Sequence, residues 1–352
     1  LRYIVGLVVG YNINLKKNKT KHILEDKIMN TLENTFQRVL WTTEDIRSSS
    51  EVSGLVDSMI VTKADPAVAK IVNAIDSGSK IQIPYVQDQL YSEPNVSDDS
   101  DVLGSVSTIV KAKVDAFVGF YNKIFGEKQI AKEIGSGISA IDAARSLLGT
   151  FWKKDIKARM LSILSGAIAS NKAHNGGDSV HTDAVNGFSF DLAVDTLVKA
   201  GEQMDNFKAI VVTSGTKAKI LKQNALSITK AADEIGIVRE YYNGLELILD
   251  DSLPVAGGLT TTVFLREGAF TFQEVTVEMP IALVKNELSG NGGGETKLVS
   301  RFAYLLHLNG YTFNDASVAG VSPTVAELAN PANWTRVVDY KQTPFVALES
   351  KS

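Results

Sequence analysis

Four histidines, one serine between a strand and a helix, an acidic cluster and a glycine run are the places where this 352-residue chain could do chemistry. His22, His174, His181 and His307 form no His-Glu-x-x-His pair, and a chain without cysteine has no thiolate to complete a zinc set. Ser214 lies in Val212-Thr213-Ser214-Gly215-Thr216, which lacks the first glycine of a nucleophile elbow; a serine there is expected to cap the helix that follows. Asp98-Asp99-Ser100-Asp101 with Gly104 is the start of a calcium-loop pattern. A loop begun at Asp99, however, puts Leu103 at a ligand position and Val110 where the closing glutamate belongs. Ser289-Gly290-Asn291-Gly292-Gly293-Gly294 lacks the Gly-Lys-Ser/Thr ending of a phosphate loop and reads as a mobile tip. The expectation is a chain that is not an enzyme, with no catalytic site, no cofactor and no bound metal.

The bulk composition narrows the class further. With 44% hydrophobic and 22% charged residues the chain is an ordinary globular one. Its 36 basic and 40 acidic residues give a net charge of -4, which argues against a polycationic nucleic-acid binder but leaves room for a local basic face. The lack of cysteine removes disulfides and iron-sulfur clusters. No apolar run reaches the ~18 residues of a membrane helix. The apolar stretch Leu1 to Tyr11 precedes Lys16, Lys17, Lys19 and Lys21, the reverse of a secretory signal, so a cytoplasmic chain without membrane contact is expected.

Hydrophobic spacing then supplies the elements that must carry any function. Val52, Leu55, Val56, Met59 and Ile60, then Val68, Ile71 and Val72, predict two short helices broken at Asp65-Pro66. Ile81, Ile83 and Tyr85 alternate, as do Val106 to Val118, which predicts a long two-stranded arm that must lie on something else to be stable. Ile141, Leu148, Trp152, Ile156, Met160, Ile163 and Ala167 form the apolar stripe of a long helix closed by Asn175-Gly176-Gly177. Its other side carries Arg145, Lys153, Lys154, Lys157 and Arg159 against Asp142 and Asp155. After it come a helix at Phe190 to Val198, a strand at Ala209 to Val212, a helix from Ser214 to Asn224 and a hairpin turn at Asn243-Gly244. Strands at Leu245 to Leu249, Thr260 to Leu265, Ala269 to Phe272 and Leu298 to His307 complete the series.

This order of parts resembles the major capsid proteins of tailed bacteriophages with the Hong Kong 97-like fold. Tyr242-Asn243-Gly244-Leu245-Glu246-Leu247-Ile248-Leu249-Asp250-Asp251-Ser252-Leu253-Pro254-Val255 is similar to that family's YxGxxVxxDDxxPV segment. Ser322-Pro323-Thr324-Val325-Ala326-Glu327-Leu328-Ala329-Asn330-Pro331-Ala332-Asn333-Trp334 resembles the SPTxAELAxxxNW tail of one phage subfamily. The resemblance runs from about Met29 to Leu348 and leaves Leu1 to Ile28 without a counterpart, so a subunit beginning near Met29 is expected.

The resemblance implies an α+β fold with peripheral and axial domains, an extended E-loop hairpin and an N-terminal arm. It divides the chain into an arm at 1–50, of which 1–28 would be absent from the mature subunit, peripheral entry helices at 51–79 and the E-loop at 80–125. The peripheral domain with its spine helix would take 126–187, the axial domain 188–298, and the peripheral return strand and C-terminal tail 299–352. It further implies pentamers and hexamers of an icosahedral virion shell, assembled in the bacterial cytoplasm around double-stranded DNA, with portal and scaffold or decoration proteins as partners. In that setting Asp98, Asp99, Asp101, Lys111 and Lys113 of the E-loop are candidates for contacts between subunits. Arg145, Lys153, Lys154, Lys157 and Arg159 are candidates for a non-specific basic lining toward DNA, the alternative being a solvated helix face paired with acidic neighbours. Ser322 with Pro323 is expected to start a tail helix, and Trp334 to anchor the tail on the body. An encapsulin-like cellular compartment shares the fold and is the alternative function; an enzyme would need a convergent polar pocket that the sequence does not display.

Overall fold

The computed structural model describes residue 55 and residues 58–73, 79–86, 111–128, 140–223, 227–232 and 238–352. The segment 1–50, the expected start at Met29 and the acidic cluster Asp98, Asp99 and Asp101 lie outside the described residues.

One sheet is built on two long strands. Strand β1 (Val61–Lys63), helix α1 (Pro66–Asn73), β2 (Lys80–Val86) and β3 (Lys111–Lys128, 18 residues) come first in the chain. They meet β11 (Phe270–Val275), β12 (Ile281–Asn286) and β13 (Glu295–Leu308) in the order β1-β11-β13-β3-β2, with β12 also paired to β13. The expected helix before Asp65 is not found where the chain is described. Ser58 to Ile60 is a turn, and Val61–Lys63 is a strand because it finds a parallel partner in β11, some 200 residues away and invisible to local periodicity. Asp65 then caps α1, its Oδ1 accepting from the Ala67 amide at 2.8 Å, with Pro66 at the first helical position where a missing N–H costs nothing.

Helix α2 (Ala140–His174, 35 residues) lies across this sheet. All seven residues of the expected apolar stripe are buried. Trp152 sits on Phe302 of β13 and donates its Nε1 hydrogen to Ser300 Oγ at 2.9 Å, so the indole is both packed and satisfied. Gly176 and Gly177 follow the helix with positive φ, and the Gly177 amide returns to the Asn171 carbonyl, which closes the last turn.

The second sheet has the order β4-β16-β10-β5-β8-β7-β6. Its members are β4 (Val180–Gly187), β5 (Phe207–Val212), β6 (Ile228–Ala232), β7 (Val238–Tyr242), β8 (Leu245–Leu249), β10 (Leu259–Arg266) and β16 (Phe345–Lys351); the short β9 (Val255–Ala256) pairs with β10. Asn243 (φ 49°) and Gly244 (φ 85°) make the tight β7–β8 turn. Helices α3 (Phe190–Val198) and α4 (Ser214–Gln223) accompany the sheet, and Phe188, Phe207, Ile210, Val212, Ile220, Phe264 and Val346 meet in its core. The α4 cap is Thr213, whose Oγ1 accepts from the Thr216 amide, and Ser214, expected as the cap, instead gives its amide to Asp251 Oδ1.

Strand pairing does not follow the expected domain boundaries at 187/188 and 298/299. β4 and β16 join the sheet of the 188–298 segment, while β11 and β12 of that segment join β3 and β13. Both exchanges rest on partners distant in sequence. A small third sheet, β14 (Tyr311–Phe313) with β15 (Trp334–Arg336), closes the tail around helix α5 (Val325–Leu328).

Candidate assembly surfaces

Strand β3 is shared by the arm and the body. Its first part, Lys111–Phe117, pairs with β2; its second part, Val118–Lys128, pairs with β13. Lys111 stands opposite Val86, and exposed Lys113 turns onto its own partner strand, donating to Gln82 Oε1 at 3.1 Å. At the base of the arm Lys80 bridges Asp115 (3.4 Å) and Asp315 (3.2 Å), and the hydrogen bond to Asp315 heads the influences that raise its pKa. The Asp115 amide donates to Thr312 Oγ1, and Phe117 packs on Phe313.

The five basic residues of α2 do not form one open face, which corrects that expectation. Lys153 and Arg159 are buried, Arg145 is half-buried, and Lys157 reaches Asp250 at 3.0 Å, a carboxylate itself buried at the end of β8. Lys154 alone of the five is exposed. A helical wheel records that these residues oppose the apolar stripe but not that other parts of the chain fold over that side.

Arg159 is the centre of the cluster that does this. Its Nε donates to Asp155 Oδ2 at 2.8 Å, its Nη1 to the Pro323 carbonyl at 2.9 Å, and its guanidinium lies 3.5 Å from the Tyr121 ring centroid. The Tyr304 hydroxyl donates to Asp155 as well. Burial pushes the Tyr121 phenol up to about 12, although the nearby guanidinium works against it. Spine helix, both long strands and tail are thereby held at one point. The i,i+4 spacing of Asp155 and Arg159 was readable; Tyr121, Tyr304 and Pro323 carried no local signal.

The tail behind this point is closely fitted. Helix α5 is capped by Thr324 rather than by Ser322: Thr324 Oγ1 accepts from the Glu327 amide, and the Glu327 carboxylate accepts from the Thr324 amide at 2.7 Å. The backbone hydrogen bonds from Thr324 and Ala319 hold the Glu327 carboxyl below its usual range. Ser322 is used elsewhere, its Oγ accepting from the Phe120 amide at 2.8 Å. Trp334 is fully buried, packs edge-on to Phe313 and donates Nε1–H to the Leu328 carbonyl at 2.8 Å. It fits because Gly166 of α2 has no side chain; a Cβ there would stand 2.4 Å from the Leu328 oxygen and 2.8 Å from the indole.

Beyond Tyr121 no strand among the described residues lies on the outer edge of β3. Strands β3, β13 and β12 continue as a three-stranded tongue whose α2 side buries Leu298, while the opposite side exposes Phe120, Ile124 and Val284. Among the described residues no group of three or more His, Asp or Glu could hold a metal, and no helix is long and apolar enough to cross a membrane.

Residues 120–346, more than half of the chain, match the family described as Gp13-like, major capsid protein 13-like. The chain belongs to the Gp13-like major capsid protein family. It is similar to the major capsid protein of Bacillus phage SPP1, 25% identical over 316 residues that cover 87% of this chain and 93% of the relative. Among solved structures, the capsid of a native GTA particle aligns with TM-score 0.52 at 11% identity, covering 86% of this chain and 92% of the other. The capsid of Ralstonia phage GP4 aligns with TM-score 0.50 at 11% identity, over 72% and 84% of the two chains. The Hong Kong 97-like fold expected from the sequence is the fold of this protein, and its function is that of a tailed-phage major capsid protein. As such the Gp13-like protein self-associates and is a component of the virion capsid.

Proposed function

We propose that the Gp13-like protein builds pentamers and hexamers of an icosahedral shell around double-stranded DNA, in the host cytoplasm, and that this role is structural and not enzymatic. The β2–β3 arm carries the reading. A two-stranded ribbon is marginally stable alone, and here its longer strand is continuous with the body sheet, an arrangement suited to reaching over a neighbouring subunit. The arm residues Asp98, Asp99, Asp101, Lys111 and Lys113 are assigned to contacts with that neighbour, and portal and scaffold or decoration proteins to the remaining contacts of the shell. In contact with DNA, Lys154 is the residue of the α2 set that its exposure leaves available.

The test is expression of the chain followed by electron microscopy and sequencing of enclosed nucleic acid. Closed particles are expected from the wild type, and folded but unassembled subunits from a chain lacking 93–105. Particles from the deletion indistinguishable in sedimentation from wild type would remove the arm from the mechanism. Particles enclosing a protein cargo in place of phage DNA would favour a cellular compartment.

A further inference from the structure

The backbone of β3 can be followed position by position along the edge that faces away from β13. Residues of an antiparallel strand turn their N–H and C=O groups alternately to its two edges. On the outer edge the Val118 amide donates to the Ser79 carbonyl at 2.6 Å and the Phe120 amide to Ser322 Oγ at 2.8 Å. The same alternation turns Asn122, Ile124, Gly126 and Lys128 outward. All four are exposed, and among the described residues no strand pairs with them on this outer edge, β13 lying on the other. Among the described residues the chain thus covers its own edge as far as Phe120.

We propose that this outer edge, Asn122 to Lys128, pairs antiparallel with the same edge of a second copy about a twofold axis. The proposal rests on the shell-forming reading, which supplies the second copy. Charge selects both partner and register. With Asn122 opposite the second copy's Lys128, and Ile124 opposite its Gly126, Lys123 falls opposite the second copy's Glu127, and the twofold axis repeats that ion pair. Phe125 then faces its own copy across the axis. A shift of two residues in either direction loses both ion pairs, and the pairing is isologous, so each copy covers the other's β3 edge.

The chain has no cysteine, so any disulfide in a single-cysteine variant must join two copies. Non-hydrogen-bonded antiparallel pairs hold their Cα atoms ~4.5 Å apart, within disulfide reach. Oxidised particles of Phe125→Cys are therefore expected to run as covalent dimers on a non-reducing gel, while Val284→Cys, exposed on β12, stays monomeric. Particles of Phe125→Cys that give no more dimer than this control overturn the pairing and leave the shell reading standing. Should Phe125→Cys fail to fold, charge reversal decides. Lys123→Glu and Glu127→Lys should each lower particle yield about tenfold by placing like charges opposite each other, and the double variant should recover to within about twofold of wild type. A double variant no better than the singles overturns the pairing. A wild-type chain that forms no particle overturns the shell reading and the pairing with it.

Discussion

The two halves of β3 obey the same backbone chemistry and end in opposite conditions. From Val114 to Tyr121 the strand is enclosed: β2 on one edge, Thr312 and then β13 on the other, Ser79 and Ser322 on successive amides, and Arg159 stacked on Tyr121. From Asn122 to Lys128 the outer edge meets no strand among the described residues, and Ile124 is 53% exposed. A protein that satisfied its amides so fully over one stretch had the means to do so over the next. The difference teaches that the closed half fixes the direction of the arm within one subunit, whereas the other half is the surface to which the proposed pairing assigns a second copy.

The largest way to break this contrast is to loosen the closed half from behind. Trp334→Ala removes a fully buried indole and its bond to the Leu328 carbonyl, and should cost about 3–5 kcal/mol, read as a lower melting temperature of the unassembled subunit. An unchanged melting temperature would mean that the tail does not support the arm base.

Acid should come next. Burial pushes the His307 imidazole on β13 down to about 4, so the folded protein favours the neutral ring. Its contribution is fully present above the unfolded value of ~6.5 and is lost as pH falls from there through the folded value, in all on the order of 3 kcal/mol. Urea midpoints measured at steps between pH 7 and 4 should show the decline, and His307→Asn should flatten it. Equal slopes for variant and wild type would assign the acid sensitivity to other groups.

Arg159→Ala tests the joint itself. It strips the Tyr121 stack and leaves Asp155 with the Tyr304 hydroxyl alone, for an expected loss of about 2–3 kcal/mol in chemical denaturation. The smallest effect belongs to the open half: Ile124→Thr keeps the β-branch and should change subunit stability by less than ~0.5 kcal/mol. A large loss there would show that the tongue is part of the closed body after all.

Local pattern made some of this legible and could not reach the rest. The stripe from Ile141 to Ala167, the Asn243-Gly244 turn and the anchoring of Trp334 all depend on neighbours within a few turns or on one large side chain with few other places to go. The two cap positions, by contrast, are displaced, since Thr213 and Thr324 compete with the adjacent Ser214 and nearby Ser322 and only the turn geometry selects between them. The basic residues of α2 looked like a surface because Asp250 and Pro323, which take up Lys157 and Arg159, lie about 90 and 160 positions further along the chain. The same distance hid β16 in its sheet and β1 beside β11. The outer edge of β3 beyond Phe120 was equally hidden, for among the described residues it is defined by where β2 begins, at Lys80, and not by any property of Asn122 to Lys128.

That one strand belongs to both arm and body has a mechanical consequence. Eighteen residues at ~3.3 Å each make a beam roughly 60 Å long with no joint in it, and the Arg159 cluster grips it near its middle like a fulcrum. A tilt of 5° about that grip would move each end by about 2 to 3 Å in opposite senses, given the ~30 Å half-length. Whatever settles on the arm is therefore felt at the tongue, and the tongue's own contacts are returned to the arm, with leverage in place of flexibility.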